Sequence, residues 1–275
     1  MVITNDFVFL HLPKTGGTFC ETHIMRLYRQ SNRERLKNIL QRKPVRWGLS
    51  TRKHSGLHAI PRYARNLPKI GCIRNPYDRW VSRYEYKIYK NYPEVVPNLT
   101  RIKEEFPQFP DISLTEFIKL SNKYFTRVQN HSGKSEEEKI GFYSEQFIGM
   151  YCHKPGEILK LPKEEITAEL IRNKIAPDIT FLQTHNLNQE LHDYLTQFNH
   201  NPGGLKSILQ SPKILPEKSG PGSLRPNGAW RTYFTEESVE IVNDKEALIF
   251  ELFPQFKIET YSPTWPTFLE EVPIR

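Results

Sequence analysis

The residues best equipped for chemistry come early in the chain. The stretch HLPKTGGTF, residues 11–19, follows the apolar run Phe7-Val8-Phe9-Leu10 and precedes a segment with helical spacing. It sets Lys14, Thr15, Gly16, Gly17, Thr18 and Phe19 where a strand hands over to a helix. Glycines there let the backbone turn tightly and leave N–H groups at a helix N-terminus, where they and the helix dipole favour an anion. The Lys14 ammonium and the hydroxyls of Thr15 and Thr18 add to that preference, so the chemistry implied is binding of a 5′-diphosphate-like group. A nucleotide-hydrolysing P-loop is spelled differently: Gly, four residues, then Gly-Lys-Ser/Thr, whereas here the lysine precedes the glycines. Nor does an apolar run end in an aspartate suited to magnesium; the second ends in Arg74 and the third in Gln183-Thr184.

A second group of residues is CIRNPYDRWVSRY, 72–84. Arg74 closes an apolar run, and Ser82 follows inside the next helix, where a guanidinium fork and a hydroxyl can share one phosphate. Taken alone, the segment equally allows a salt bridge from Arg74 to a carboxylate such as Asp78. RKHSGLHAIP, residues 52–61, offers His54 and His58 as proton acceptors, a task suited to an imidazole near its free pKa. His11, next to the loop, is a third candidate, although strand-end residues more often pack. His185 reads as part of a helix entry, and His131, His153, His192 and His200 read as surface residues. No histidine pair or cysteine spacing matches a metal site, so no metal is expected.

These residues need elements to hold them. Apolar periodicity predicts strands around 6–12, 69–73 and 179–182, and helices over 18–29, 77–90, 186–198 and from Thr235 to about Phe253, with Thr235 as an N-cap. Residues 91–150 read as a partly helical insertion and about 201–227, rich in Pro, Gly and Ser, as a long loop of functional importance. The expectation is one domain over 1–275: an α/β fold with a P-loop-like, doubly wound, mostly parallel sheet flanked by helices, and the ligand at the carboxyl ends of the strands.

Taken together, the loop and the Arg74, Ser82 spacing resemble the sulfotransferases that use 3′-phosphoadenosine 5′-phosphosulfate (PAPS). LRPNGAWRTYFT, residues 224–235, is similar to the family's C-terminal segment, with Pro226 and Ala229 departing from the cytosolic spelling, so only Arg225 and Gly228 carry over. The match is closer to the carbohydrate-sulfotransferase branch than to the steroid and phenol branch. The resemblance implies that Lys14 stabilises the bridging oxygen and that the loop from Thr15 to Phe19 holds the 5′-phosphate. Arg74 and Ser82 would select the 3′-phosphate, and Arg225 and Gly228 would close over the nucleotide. His54 falls where related carbohydrate enzymes carry a histidine, and is preferred over His58 as the base on that resemblance. PAPS is then the donor, adenosine 3′,5′-bisphosphate the product, and the acceptor a hydroxyl, with a saccharide favoured.

Composition sets the outer bounds. Lysine plus arginine exceed aspartate plus glutamate, 39 to 31, and the formal charge of +8 favours anionic partners. The basic run from Arg33 to Lys53 reads as a solvated face beside an acceptor cleft, and no nucleic-acid partner is expected. Cys20, Cys72 and Cys152 are far apart and read as buried, reduced thiols. Without a basic region leading a long apolar core, the N-terminus does not read as a signal peptide, no membrane span is expected, and the location expected is cytoplasmic. Two other functions remain open on the residues: a non-catalytic basic module that holds an anionic glycan or nucleotide, and a nucleotide kinase with a degenerate P-loop.

Overall fold

Short apolar runs flanked by turn residues become the strands of one sheet. The structure is a computed structural model, and it describes residues 1–29, 40, 47–127, 133–198, 200–214 and 229–258. The chain divides into two compact units. The first comprises Met1–Arg74, Gly149–Lys154 and Asn173–Glu217; the second Asn75–Ile148, Pro155–Arg172 and Lys218–Arg275.

The first unit holds a five-stranded sheet built from β1 (Val2–Thr4), β2 (Val8–Leu10), β3 (Gly48–Ser50), β4 (Lys69–Ile73) and β5 (Ile179–Gln183), in the order β3-β1-β2-β4-β5. β2, β4 and β5 run parallel, with Phe9 opposite Ile70 and Gly71 opposite Phe181, whereas β1 is antiparallel to both β2 and β3. The sheet is therefore mixed, not mostly parallel as the sequence reading has it. The reason is local. Only three residues separate β1 from β2, and so short a connection can join only antiparallel strands. The Thr4 hydroxyl fixes that turn by accepting from the amides of Asp6 (3.1 Å) and Phe7 (2.9 Å).

Phe7, Phe9, Ile70, Cys72 and Leu182 form one core with Cys20, Ile24 and Tyr28 of the helix Gly17–Tyr28 and with Leu187, Leu191 and Leu195 of the helix Leu187–Thr196. Full burial of each such side chain contributes roughly 1.5–3 kcal/mol. Phe7 meets Tyr28 and Tyr194 edge-on, with ring centroids 5.7 and 5.3 Å apart. The three cysteines are buried and free, as expected, and Cys20 Sγ lies 3.4 Å from Cys72 Sγ.

Part of the expected long loop is a helix, Pro202–Leu209. Asn201 caps it by accepting from Gly203 N at 2.8 Å, and Pro202 occupies the first turn, where a missing N–H costs nothing. His200, expected at the surface, is buried and packs its ring on Tyr28, 4.8 Å between centroids.

The second unit is helical among its described residues. Asn75 caps the helix Pro76–Tyr86, which ends earlier than expected because Lys87 adopts a left-handed conformation at φ 51°. Its Trp80 is fully buried against Phe117, Phe142 and Tyr143. The expected C-terminal helix does start at Thr235 with a capping box, but it is two helices, Glu236–Lys245 and Ala247–Leu252. Glu246 separates them: its fully buried carboxylate accepts from Tyr143 N (3.0 Å), Ser144 N (2.7 Å) and Ser144 Oγ (2.8 Å) at the start of the helix Phe142–Tyr151. Tyr77 stacks on Trp230 at 5.3 Å. The basic residues Arg33, Arg35, Lys37, Arg42, Lys43 and Arg46 lie outside the described residues, whereas Arg52 and Lys53 are exposed. Among the described residues no helix is long and apolar enough to cross a membrane.

Candidate active site

The parallel strands β2 and β4 deliver the loop and Arg74 to the same end of the sheet. From β2 the chain runs through Leu12 and Pro13 to Lys14, which is half-buried at φ 64°, and Gly16, at φ 82°, is the N-cap residue of the helix Gly17–Tyr28. That helix has no side-chain cap and no acidic residue in its first turn. Its own first turn thus supplies neither a cap nor a negative charge to its N-terminal amides, which suits an external oxyanion.

The loop is fixed from three sides. Thr15 is buried and donates its hydroxyl to Leu12 O at 2.9 Å, so this proton serves the loop and is not offered to a ligand. Arg74, half-buried at the end of β4, donates from Nη1 to Lys14 O at 3.2 Å. Thr184, just past β5, places its hydroxyl 3.0 Å from Thr15 O and 2.8 Å from Ile73 O. Thr18 is half-buried. Phe19 is core, its ring 4.5 Å from that of His23, so only its main chain can serve a ligand.

Gly17 is required by a neighbour. A Cβ built on it would lie 2.0 Å from Cδ2 and 2.2 Å from Nε2 of His11, so the buried imidazole occupies the space that a side chain would need. On the opposite side of that ring, His11 Nδ1 stands 3.3 Å from Glu21 Oε2, at ion-pair range but out of hydrogen-bond alignment. Ser50 Oγ donates to Glu21 Oε1 at 2.6 Å, and Lys53 Nζ is 3.7 Å from the same carboxylate. The imidazole first, then the Ser50 hydroxyl and Lys53, hold the Glu21 carboxyl down at about 2 against the opposing effect of burial.

His54 reaches the same place by its backbone. At φ 61° it turns its exposed side chain so that Nδ1 lies 2.9 Å from His11 O, with the two rings 4.8 Å apart, edge to face. A carbonyl only accepts, so Nδ1 carries the proton and Nε2 keeps its lone pair. Desolvation pulls the His54 pKa below its ordinary value, and the His11, N-terminal and Lys53 charges act in the same direction against the bond to His11 O. The imidazole is consequently neutral and able to accept a proton at neutral pH. His58 is exposed on the short turn Leu57–Ala59 and has no such anchor among the described residues.

The first unit thus gathers the loop Lys14–Phe19, Arg74 and His54. Ser82 belongs to the second unit, half-buried on the helix Pro76–Tyr86. Arg225 and Gly228 lie outside the described residues. Three participants escaped the sequence reading or were undervalued by it: Thr184, Glu21 and His11. The available signals were the threonine directly after the third apolar run and an acid one helical turn beyond Gly17. A family model described as "Sulfotransferase family" matches residues 2–152, more than half of the chain. No curated protein matches it.

Proposed function

The chain belongs to the sulfotransferase family, and on that premise we propose that it moves a sulfuryl group from PAPS to an acceptor hydroxyl, with a saccharide as the favoured acceptor class. The observation that carries this reading is the uncapped helix N-terminus at Gly16-Gly17, lined by Lys14 and by an arginine hydrogen-bonded to the loop itself. The donor set suits the donor's phosphates: the first turn of the helix carries no acidic residue and no side-chain cap, so its amides are not served by the helix's own side chains. On this reading the fold is the P-loop-like doubly wound type, and the residues work in one domain.

When bound, PAPS supplies a sulfuryl group on a phosphate leaving group. Lys14 neutralises charge on the bridging oxygen, and the amides from Thr15 to Phe19 hold the 5′-phosphate. Arg74 would bind the 3′-phosphate, and the family resemblance gives nucleotide-binding roles to Ser82, Arg225 and Gly228 as well. His54 takes the acceptor's hydroxyl proton at Nε2. Proton acceptance of this kind typically contributes ~10²–10⁴-fold. His58 and, third, His11 are the alternative candidates for that step. An intracellular, cytoplasmic location agrees with the reading but is not needed by it.

Calorimetric titration with adenosine 3′,5′-bisphosphate, run beside ADP plus magnesium, tests the proposal. The bisphosphate should bind and Arg74→Ala should weaken it by about one to two orders of magnitude, since a charge-assisted bond is worth ~1.5–3 kcal/mol. Preference for ADP and magnesium would favour the kinase reading. Bisphosphate binding without turnover of any hydroxyl acceptor would favour a binding module.

A further inference from the structure

We propose that Glu21 is a positioning residue for His11: its carboxylate fixes which nitrogen of that buried imidazole carries the proton, in the residue whose carbonyl anchors His54. The inference rests on the sulfuryl-transfer reading for its purpose, but its geometry is independent of that reading.

The Glu21 carboxylate is itself held. Oε1 accepts from Ser50 Oγ at 2.6 Å, which ties the first helix to β3. Oε2 then faces His11 Nδ1 at 3.3 Å, in ion-pair range, and among the described residues neither of these buried atoms has a hydrogen-bond partner. An ionised carboxylate can only accept, so the pairing requires Nδ1–H and leaves the lone pair on Nε2. That nitrogen is the one directed at Gly17, against the first turn of the helix that carries the anion loop. The His11 carbonyl meanwhile anchors His54 Nδ1. The acid bears on the His11 ring, and the carbonyl of the same histidine anchors His54.

Electrostatics make the arrangement more than a spacer. A helix N-terminus carries partial positive charge and disfavours an imidazolium beside it. Other cationic groups near the cluster are Lys53, 3.7 Å from Glu21, and the α-amino group of Met1. Among the described residues Glu21 is the acid in ion-pair range of His11 and Lys53, so its negative charge offsets the cationic groups gathered there. Acid–histidine pairing of this kind serves orientation and tautomer selection; the acid itself need not take up the proton.

Long-range ¹⁵N–¹H spectra of histidine-labelled protein report the tautomer directly. Wild type should show His11 protonated at Nδ1, whereas Glu21→Ala should give a mixture of tautomers while binding adenosine 3′,5′-bisphosphate within about threefold of wild type. Glu21→Gln serves as the second variant should the alanine form fail to fold, and should likewise alter the His11 signals. The proposal is overturned if His11 carries its proton on Nε2 in wild type or if its signals are unchanged by both substitutions. It is equally overturned if the tautomer signature and bisphosphate affinity collapse together, which marks a purely structural support. Wild type that does not bind the bisphosphate at all would remove the sulfuryl-transfer reading and leave the tautomer result to decide Glu21 by itself.

Discussion

At the scale of single residues, the site depends on what one glycine lacks. The ring of His11 fills the place of a Gly17 side chain, with 2.0 Å to the nearest ring atom. Gly17→Ala should therefore displace the imidazole, destabilise the protein by about 1–3 kcal/mol in urea denaturation, and weaken bisphosphate binding in the same variant. The sequence made Lys14, the two glycines and Arg74 legible because each bears its signal in its immediate neighbours: a strand before, a helix after, a charge at the turn. Glu21 has no such signal. Its meaning comes from Ser50 and His11, which are distant in sequence and adjacent only once β1 pairs with both β2 and β3. His54 and His58 look alike in the sequence for the same reason; what separates them is a left-handed turn at His54 and the His11 carbonyl it reaches.

At the scale of elements, the parallel strands β2 and β4 were legible as apolar runs because strands buried on both faces cannot alternate, and β5, which is only partly buried, was legible from Ile179, Phe181 and Leu182. β1 and β3 were not: β3 is largely exposed and carries no apolar run, and β1 lies only three residues before the stronger run of β2. The C-terminal helix pair illustrates a different limit. Its apolar spacing is continuous, yet Glu246 interrupts it by turning a buried carboxylate onto Tyr143 N, Ser144 N and Ser144 Oγ. Burial pushes the Glu246 carboxyl up, opposed by its hydrogen bonds from Tyr143 and Ser144. Glu246→Ala leaves two buried amides and a hydroxyl without an acceptor, each worth roughly 1–3 kcal/mol when unsatisfied. We expect a loss of at least one such increment in equilibrium denaturation, with Glu246→Gln retaining part of it.

At the scale of the whole molecule, stability should carry the signature of the same acid that orders the site. The folded-state pKa of Glu21, about 2, lies below the ordinary value of 4.5. A depressed carboxyl contributes stability above its unfolded pKa and loses it as pH falls through the folded one. Denaturation midpoints should therefore decline between about pH 4.5 and 2, and Glu21→Gln should show a shallower decline over that interval than wild type; identical slopes would disprove the contribution. The one hydroxyl of Thr184 lies within bonding distance of the carbonyls of both Thr15 and Ile73. It makes the anion loop the joint property of three stretches of chain far apart in sequence. A designer who transplanted HLPKTGGTF alone into another scaffold would carry over the spelling and leave the shape behind; the portable unit is the three strand ends with their threonine clasp.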